Sequence, residues 1–268
     1  MLRALRRWRR ERTLQRHRID DELWQQALRC FVFTRTLTDE EAVRLRDIVT
    51  LFLASKSLSA AGGHQLTDAM RVSIATQACI LVLELGLEYY DGWVEVIVYP
   101  DEFIPEHTWT DEAGVVHHGR VPHMGQAWLH GPVILSWADV ARAGEADGFN
   151  VVIHEFAHKL DMLNGDANGY PPLHKGMNRT QWRDVFSEAY ERFSRKVRRH
   201  VYTEIDPYAA ESPAEFFAVM SEAFFEIPDI VQADYPELYE QLRQFYRQDP
   251  LARLPRDATA AGGQGHEE

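Results

Sequence analysis

Cysteine is nearly missing from this 268-residue sequence: Cys30 and Cys79 stand alone, with no paired spacing. A disulfide framework is therefore excluded as a source of stability, and a reducing, cytoplasmic setting is expected. Long hydrophobic runs are missing too. The longest, Ala78 to Leu83, is far shorter than the roughly 20 residues a membrane-spanning helix needs, so no span is expected. No apolar stretch follows the first arginines, so the start does not read as a secretory signal. An excess of cations is also lacking. Lys and Arg number 29 against 41 Asp and Glu, for a formal net charge of −12. Phosphate neutralisation needs clustered cations, so direct nucleic-acid binding is not expected.

What is present suits a globular protein: 45% hydrophobic and 26% charged residues in a chain long enough to bury a core. Charge is spread unevenly. Residues 1–18 carry eight Arg against Glu11, about +7, which leaves −19 for the rest. Leu2, Leu5 and Trp8 fall three apart there. Residues 1–20 read as a basic arm or helix, either solvated or turned toward an anionic surface. Thr38 and Glu41 have the spacing of a capping box ahead of a core-facing helix. Asp68 to Leu85 predicts a second helix and Val94 to Tyr99 a strand. Residues 101–131, dense in glycine and proline, read as loop, with Val115-Val116 and Ala127-Trp128-Leu129 expected to pair near a strand at Val133–Trp137. Helices follow: Thr180 to Arg199, one opened by Ser212 and Pro213, and Tyr235 to Tyr246. The tail beyond 250 is expected to be disordered.

The informative stretch runs from Asn150 to Asp161. Asn150 can cap a helix. Val151, Val152, Ile153, Phe156, Ala157 and Leu160 make that helix largely buried. On it, His154 and His158 are one turn apart on one face, so two imidazoles can reach one ion. Glu155 is rotated by about 100° from His154 and can face a water on that ion. This is the H-E-x-x-H arrangement. Two neutral histidines leave zinc able to acidify water toward a pKa near 7, and the carboxylate beside it takes the proton. The bare pattern arises by chance in about 1 in 20 chains with 12 His and 23 Glu. Its setting makes it more specific: polar residues in an otherwise apolar helix need a reason. Satisfied core histidines are the bland alternative.

Catalytic zinc usually has a third protein ligand. Glu211, Glu215 and Glu222 are the candidates. Glu215 and Glu222 lie seven apart, hence on one helical face, among Phe216, Phe217, Phe224 and Phe225. Glu215 also has a plainer reading: Ser212-Pro-Ala-Glu215 fits a capping box.

The run His-Glu-Phe-Ala-His-Lys-Leu-Asp-Met-Leu-Asn-Gly-Asp-Ala-Asn-Gly from His154, with Glu-Ser-Pro-Ala-Glu-Phe-Phe-Ala-Val from Glu211 and Leu135-Ser-Trp137, resembles the Mlc titration factor A family. The resemblance covers about residues 20–250. That family is similar to gluzincin-type metallopeptidases, and in its catalytic core to anthrax lethal factor. The resemblance implies His154, His158 and Glu215 as zinc ligands, one ion per chain. It implies Glu155 as general base and Tyr208, seven residues before Glu215, as a hydroxyl that steadies the oxyanion. Glu222 and Asp161 become candidate partners of a ligand histidine, with an ordinary salt bridge or cap as the alternative for each. It also implies aminopeptidase-like activity on peptides and binding of Mlc, a transcriptional repressor of sugar-phosphotransferase genes.

The expected fold is α+β, mainly helical with a small central mixed sheet around a zincin-like metallopeptidase core. A single catalytic domain is expected over 21–250, with N-terminal helices, a sheet within 94–137, a zinc helix at 150–162 and C-terminal helices. The competing function is a non-catalytic repressor-sequestering protein with a latent or structural zinc site. Glu155 argues against that alternative, since a structural site has no use for it. His107, His117, His118, His123 and His130 crowd the 101–131 segment. Exposed loop histidines are the preferred reading of His117, His118 and His123, over extra ligands. A mobile loop that gates the cleft is a further expectation.

Overall fold

The structure is a computed structural model and describes residues 2–101, 106–110, 116–120, 125–127 and 131–254. Side chains of residues 2–4 and 6 and of strands between 106 and 127 lie outside the description. The helices, in chain order, are α1 (Leu2–Arg16), α2 (Asp21–Cys30), α3 (Val32–Arg35), α4 (Asp39–Ser55), α5 (Asp68–Ile80), α6 (Trp137–Val140), α7 (Val151–Asp161), α8 (Arg179–Arg198), α9 (Pro213–Glu226), α10 (Pro228–Asp234), α11 (Pro236–Tyr246) and α12 (Pro250–Arg253). The strands are β1 (Ser57–Ala60), β2 (Glu95–Tyr99), β3 (Glu106–Thr110), β4 (Val116–Arg120), β5 (Gly125–Ala127) and β6 (Val133–Ser136). The fold is therefore α+β and mainly helical. Among the described residues no helix is long and apolar enough to cross a membrane.

The sheet is mixed, in the order β1-β2-β6-β5. β1, β2 and β6 run parallel, and β5 adds an antiparallel edge. Val96 pairs with Val133 and Val98 with Leu135, all four fully buried. Parallel strands covered by helices read as short apolar runs, which Val133-Ile-Leu is. Beneath the sheet, Phe52 of α4, Tyr90, Trp93 and Phe156 of α7 meet as edge-on or tilted rings with centroids 5.1 to 6.3 Å apart. This cluster anchors the apolar side of α7, the helix with the two histidines. A second aromatic group joins the C-terminal helices: Trp182 and Phe186 of α8, Phe217 of α9 and Phe245 of α11.

Local signals explain most boundaries. Thr38 and Glu41 form both halves of the capping box. α5, in contrast, stops at Ile80 and not at Leu85. The carbonyl of Ile80 accepts from the buried Gln248 side chain at 2.7 Å, and residues 81–85 tighten into bonds three residues apart, such as Leu83 N to Ile80 O. The segment read as loop holds strands. β3 and β4 form their own antiparallel hairpin, so Val116 pairs within it and not beside β6. Ala127 does pair with β6, through Val133; Val115, Trp128 and Leu129 lie outside the described residues. His107, His117 and His118 fall on the hairpin's strands, while His123 and His130 lie outside the description. Of the tail expected beyond 250, Pro250–Arg253 is helical, with Arg253 donating to Glu41 at 2.6 Å; residues 255–268 are outside the description.

Candidate metal centre

Two helices build the site. Asn150 caps α7, its side chain accepting from Ile153 N at 3.0 Å, so α7 starts one turn before His154. Ser212 caps α9 by accepting from Glu215 N at 3.2 Å, with Pro213 at the first helical position. Only this half of the capping box forms. The Glu215 carboxylate turns instead toward α7, where its Oε2 lies 3.0 Å from His154 Nε2 and 3.2 Å from His158 Nε2. The two Nε2 atoms are 3.1 Å apart. These three residues are the one group among the described residues whose donor atoms could share an ion.

Their separations test that fit. With bond lengths near 2.0–2.1 Å, neighbouring ligands of a tetrahedral zinc sit about 3.3 Å apart. A triangle of 3.0, 3.1 and 3.2 Å matches that to a few tenths of an ångström. Two imidazole nitrogens aimed at each other need a shared cation or a proton between them. Burial acts to lower the His154 pKa, but hydrogen bonds to Glu215 and Glu222 outweigh it and hold the value well above the usual one. Burial likewise acts to raise Glu215, and the two imidazoles reverse this and hold it low. The donor set thus favours a positive charge at its centre.

A second layer fixes the first. Glu222, almost wholly buried, puts Oε1 2.8 Å from His154 Nδ1 and accepts from the Asn150 amide with Oε2. It therefore touches both the ring and the cap of the same helix. A carboxylate on the far nitrogen of a ligand histidine sets its tautomer and orientation. One turn on, Glu226 Oε1 accepts from Asn150 Nδ2 at 2.9 Å. Burial pushes the Glu226 carboxyl up to about 7 against that bond. Glu215, Glu222 and Glu226 thus form one stripe along α9. Glu226 was missed from sequence, although it lies four residues, one helical turn, beyond Glu222. Glu211 lies outside this group; it is exposed and ends the 3-10 turn Pro207–Ala210.

Glu155 is 4% exposed, and its Oε2 has no hydrogen-bond partner among the described residues. Burial raises its carboxyl, with His154 and His158 pulling the other way. Tyr208 sits on the turn Pro207–Ala210, which Asp206 caps at 2.8 Å and Tyr190 of α8 ties down through Ala210 O at 3.1 Å. Its ring centre lies 6.0 Å from that of His154. Burial and then the charges of Glu215 and Glu155 push the phenol up to about 12, so it keeps its proton at neutral pH. Asp161, considered as a histidine partner, faces elsewhere: both its oxygens accept main-chain amides of residues 168–170. Lys159, not singled out from sequence, is buried on α7 and donates to Gly131 O at 2.8 Å, joining the helix to the lead-in of β6.

Two histidines on successive turns of one helix, a glutamate from a second helix and a buried carboxylate beside them make up a donor set of the metallopeptidase kind. The chain belongs to the glucose-regulated metallo-peptidase M90 family, whose pattern matches residues 5–247. It is 38% identical over 249 residues to Mlc titration factor A of Escherichia fergusonii, covering 92% of each chain. It is 40% identical over 262 residues to Mlc titration factor A of Salmonella paratyphi B, covering 92% of this chain and 94% of that one. The protein of the same name from Escherichia coli O139:H28 is 40% identical over 246 residues.

Proposed function

We propose that this chain is a zinc-dependent peptidase of aminopeptidase-like type, with a single zincin-like catalytic domain over residues 21–250. One observation carries the reading: His154, His158 and Glu215 converge within 3.2 Å of one another, with Glu155 buried beside them. Those three residues would hold one zinc per chain, since two imidazole nitrogens and a carboxylate oxygen suit that ion. When bound, it would supply acidified water and polarise the scissile carbonyl.

The chain's own groups do the rest. Glu155 accepts a proton from the attacking water and passes it to the leaving amine. Its raised affinity for protons suits both halves of that task. Tyr208, protonated, donates its hydroxyl to the oxygen that gains charge as the carbonyl carbon becomes tetrahedral. Glu222 holds the His154 ring in place from its far side. The aminopeptidase character rests on the family resemblance alone. The relatives' name supports a second role, the binding of Mlc. That Mlc is a transcriptional repressor is what the family resemblance implies, and the cytoplasmic setting rests on the scarcity of cysteine.

The test is zinc content and peptide hydrolysis of the purified chain beside Glu155→Gln. One zinc per chain in both, with hydrolysis in the natural chain only, is the expected result. Zinc in both and cleavage in neither would overturn the hydrolase reading and leave repressor binding as the function.

A further inference from the structure

We propose that the segment from Met162 to Asn178 is a strap that sets the position of Glu215, and that Asp161 is the positioning residue that anchors it. The inference rests on the reading of His154, His158 and Glu215 as the ligand set. Asp161 is the last residue of α7, fully buried. Its Oδ2 accepts from Asn168 N and Gly169 N, each at 2.7 Å, and its Oδ1 from Tyr170 N at 2.9 Å. Three successive amides on one carboxylate make short, charge-assisted bonds, so the end of α7 and residues 168–170 move as one piece.

Gly169 carries the link onward. Its φ is +77°, and a Cβ there would lie 2.5 Å from the carbonyl oxygen of Pro213 and 3.1 Å from its carbonyl carbon. The strap's main chain therefore lies directly on the first turn of α9, two residues before Glu215. From α8, the buried indole of Trp182 donates to Gly169 O at 3.2 Å, and Tyr170 donates its hydroxyl to Arg179 O at 3.0 Å. The path runs from the end of the histidine helix, through three amides and one glycine, to the start of the glutamate helix. A carboxylate near a ligand histidine commonly accepts from that ring's far nitrogen. The oxygens of Asp161 are instead committed to the strap, and His158 Nδ1 has no partner among the described residues. A metal site tolerates only about 0.5 Å of play in its ligands. A strap that fixes the first turn of α9 against the last turn of α7 supplies that tolerance from outside the ligand set.

The experiment is titration of cobalt(II) into the metal-free full chain, read by its visible absorption, which reports coordination, with affinity obtained from chelator competition. The natural chain, Asp161→Asn, Gly169→Ala and Glu215→Gln are compared, each with a far-ultraviolet dichroism spectrum of the metal-free form. Asp161→Asn and Gly169→Ala are expected to keep the dichroism spectrum and lose about 10–100-fold in cobalt affinity. Their absorption should shift toward that of Glu215→Gln. Natural absorption and affinity in both folded variants, even with a lowered melting temperature, would make the strap merely structural and overturn the proposal. If the natural chain gives no protein-bound cobalt spectrum, the ligand set itself is wrong, a distinct failure. Should both variants fail to fold, Trp182→Phe removes one bond to Gly169 while keeping a ring. It should shift the spectrum in the same direction by less, and an unchanged spectrum overturns the proposal.

Discussion

At Glu155, burial raises the carboxyl while two histidines act to lower it, and the role proposed for it is to take and return a proton. Glu155→Gln keeps the shape and removes that ability, so kcat/KM should fall about 10²–10⁴-fold with metal content unchanged, checked by hydrolysis and metal analysis of the same sample. Tyr208→Phe removes a single donor to developing charge. It should lower kcat about 10²-fold or more with little change in KM, measured in steady state. Glu226 carries a pH dependence away from the ligands. Its folded value of about 7 lies above the ordinary 4.5, so between these pH values the folded chain holds a proton that the unfolded chain has lost. Stability contributed by this group is therefore present below about 4.5 and declines as pH rises to about 7. Glu226→Gln should flatten the decline between pH 5 and 8 by on the order of 2–3 kcal/mol, measured by urea unfolding at both pH values.

The helices show which parts of the structure were legible in sequence. Starts set by a neighbouring side chain were readable, because donor and acceptor lie within one turn: Thr38, Asn150 and Ser212 each cap the helix that follows. Ends set by distant residues were not. α5 stops where Gln248, far along the chain, takes the Ile80 carbonyl. α10 was hidden because Pro228 read as a stop, whereas it opens a helix, as Pro236 does for α11. Proline fits the first turn, whose amides have no helical partner. The hairpin β3–β4 was hidden by its glycine and proline content. In the metal centre the spacing of the histidines and Glu155 was readable because one helix carries them. Glu215 needed the family resemblance, since nothing in the chain's periodicity says which helix faces α7. The bonds of Asp161 were invisible, because its partners are main-chain amides in a segment without pattern. Ser212→Ala should cost about 1 kcal/mol by loss of the cap, read as a lower denaturation midpoint. It frees the turn that holds Glu215, so metal affinity should fall in the same variant.

Across the whole molecule, charge and stability divide unevenly. α1 carries most of the basic excess and lies along α4, where Arg10 reaches Asp47 at 3.6 Å; Leu5 and Trp8 remain exposed. The described side chains of α1 are all at least partly exposed, so they add little to the core. The centre is different. Glu155 feels the charges of Glu215 and Glu222, and a bound cation would offset that repulsion. Chelation should lower the melting temperature and zinc should restore it. At a free zinc concentration 100 to 1,000 times the Kd, the difference is about 3–4 kcal/mol.

The acidic stripe of α9 has a consequence for the kinds of error this gene can absorb. Spacings of seven and four return to nearly the same side of a helix, whereas one residue turns it by about 100°. A substitution at Glu222 or Glu226 removes that residue's own contacts and leaves the others. A single codon inserted or deleted between Glu215 and Glu222 swings both of the later carboxylates away from Asn150 and His154 at once. Drift in this lineage is therefore expected to proceed through α9 by replacement, with changes in length confined to the connections on either side.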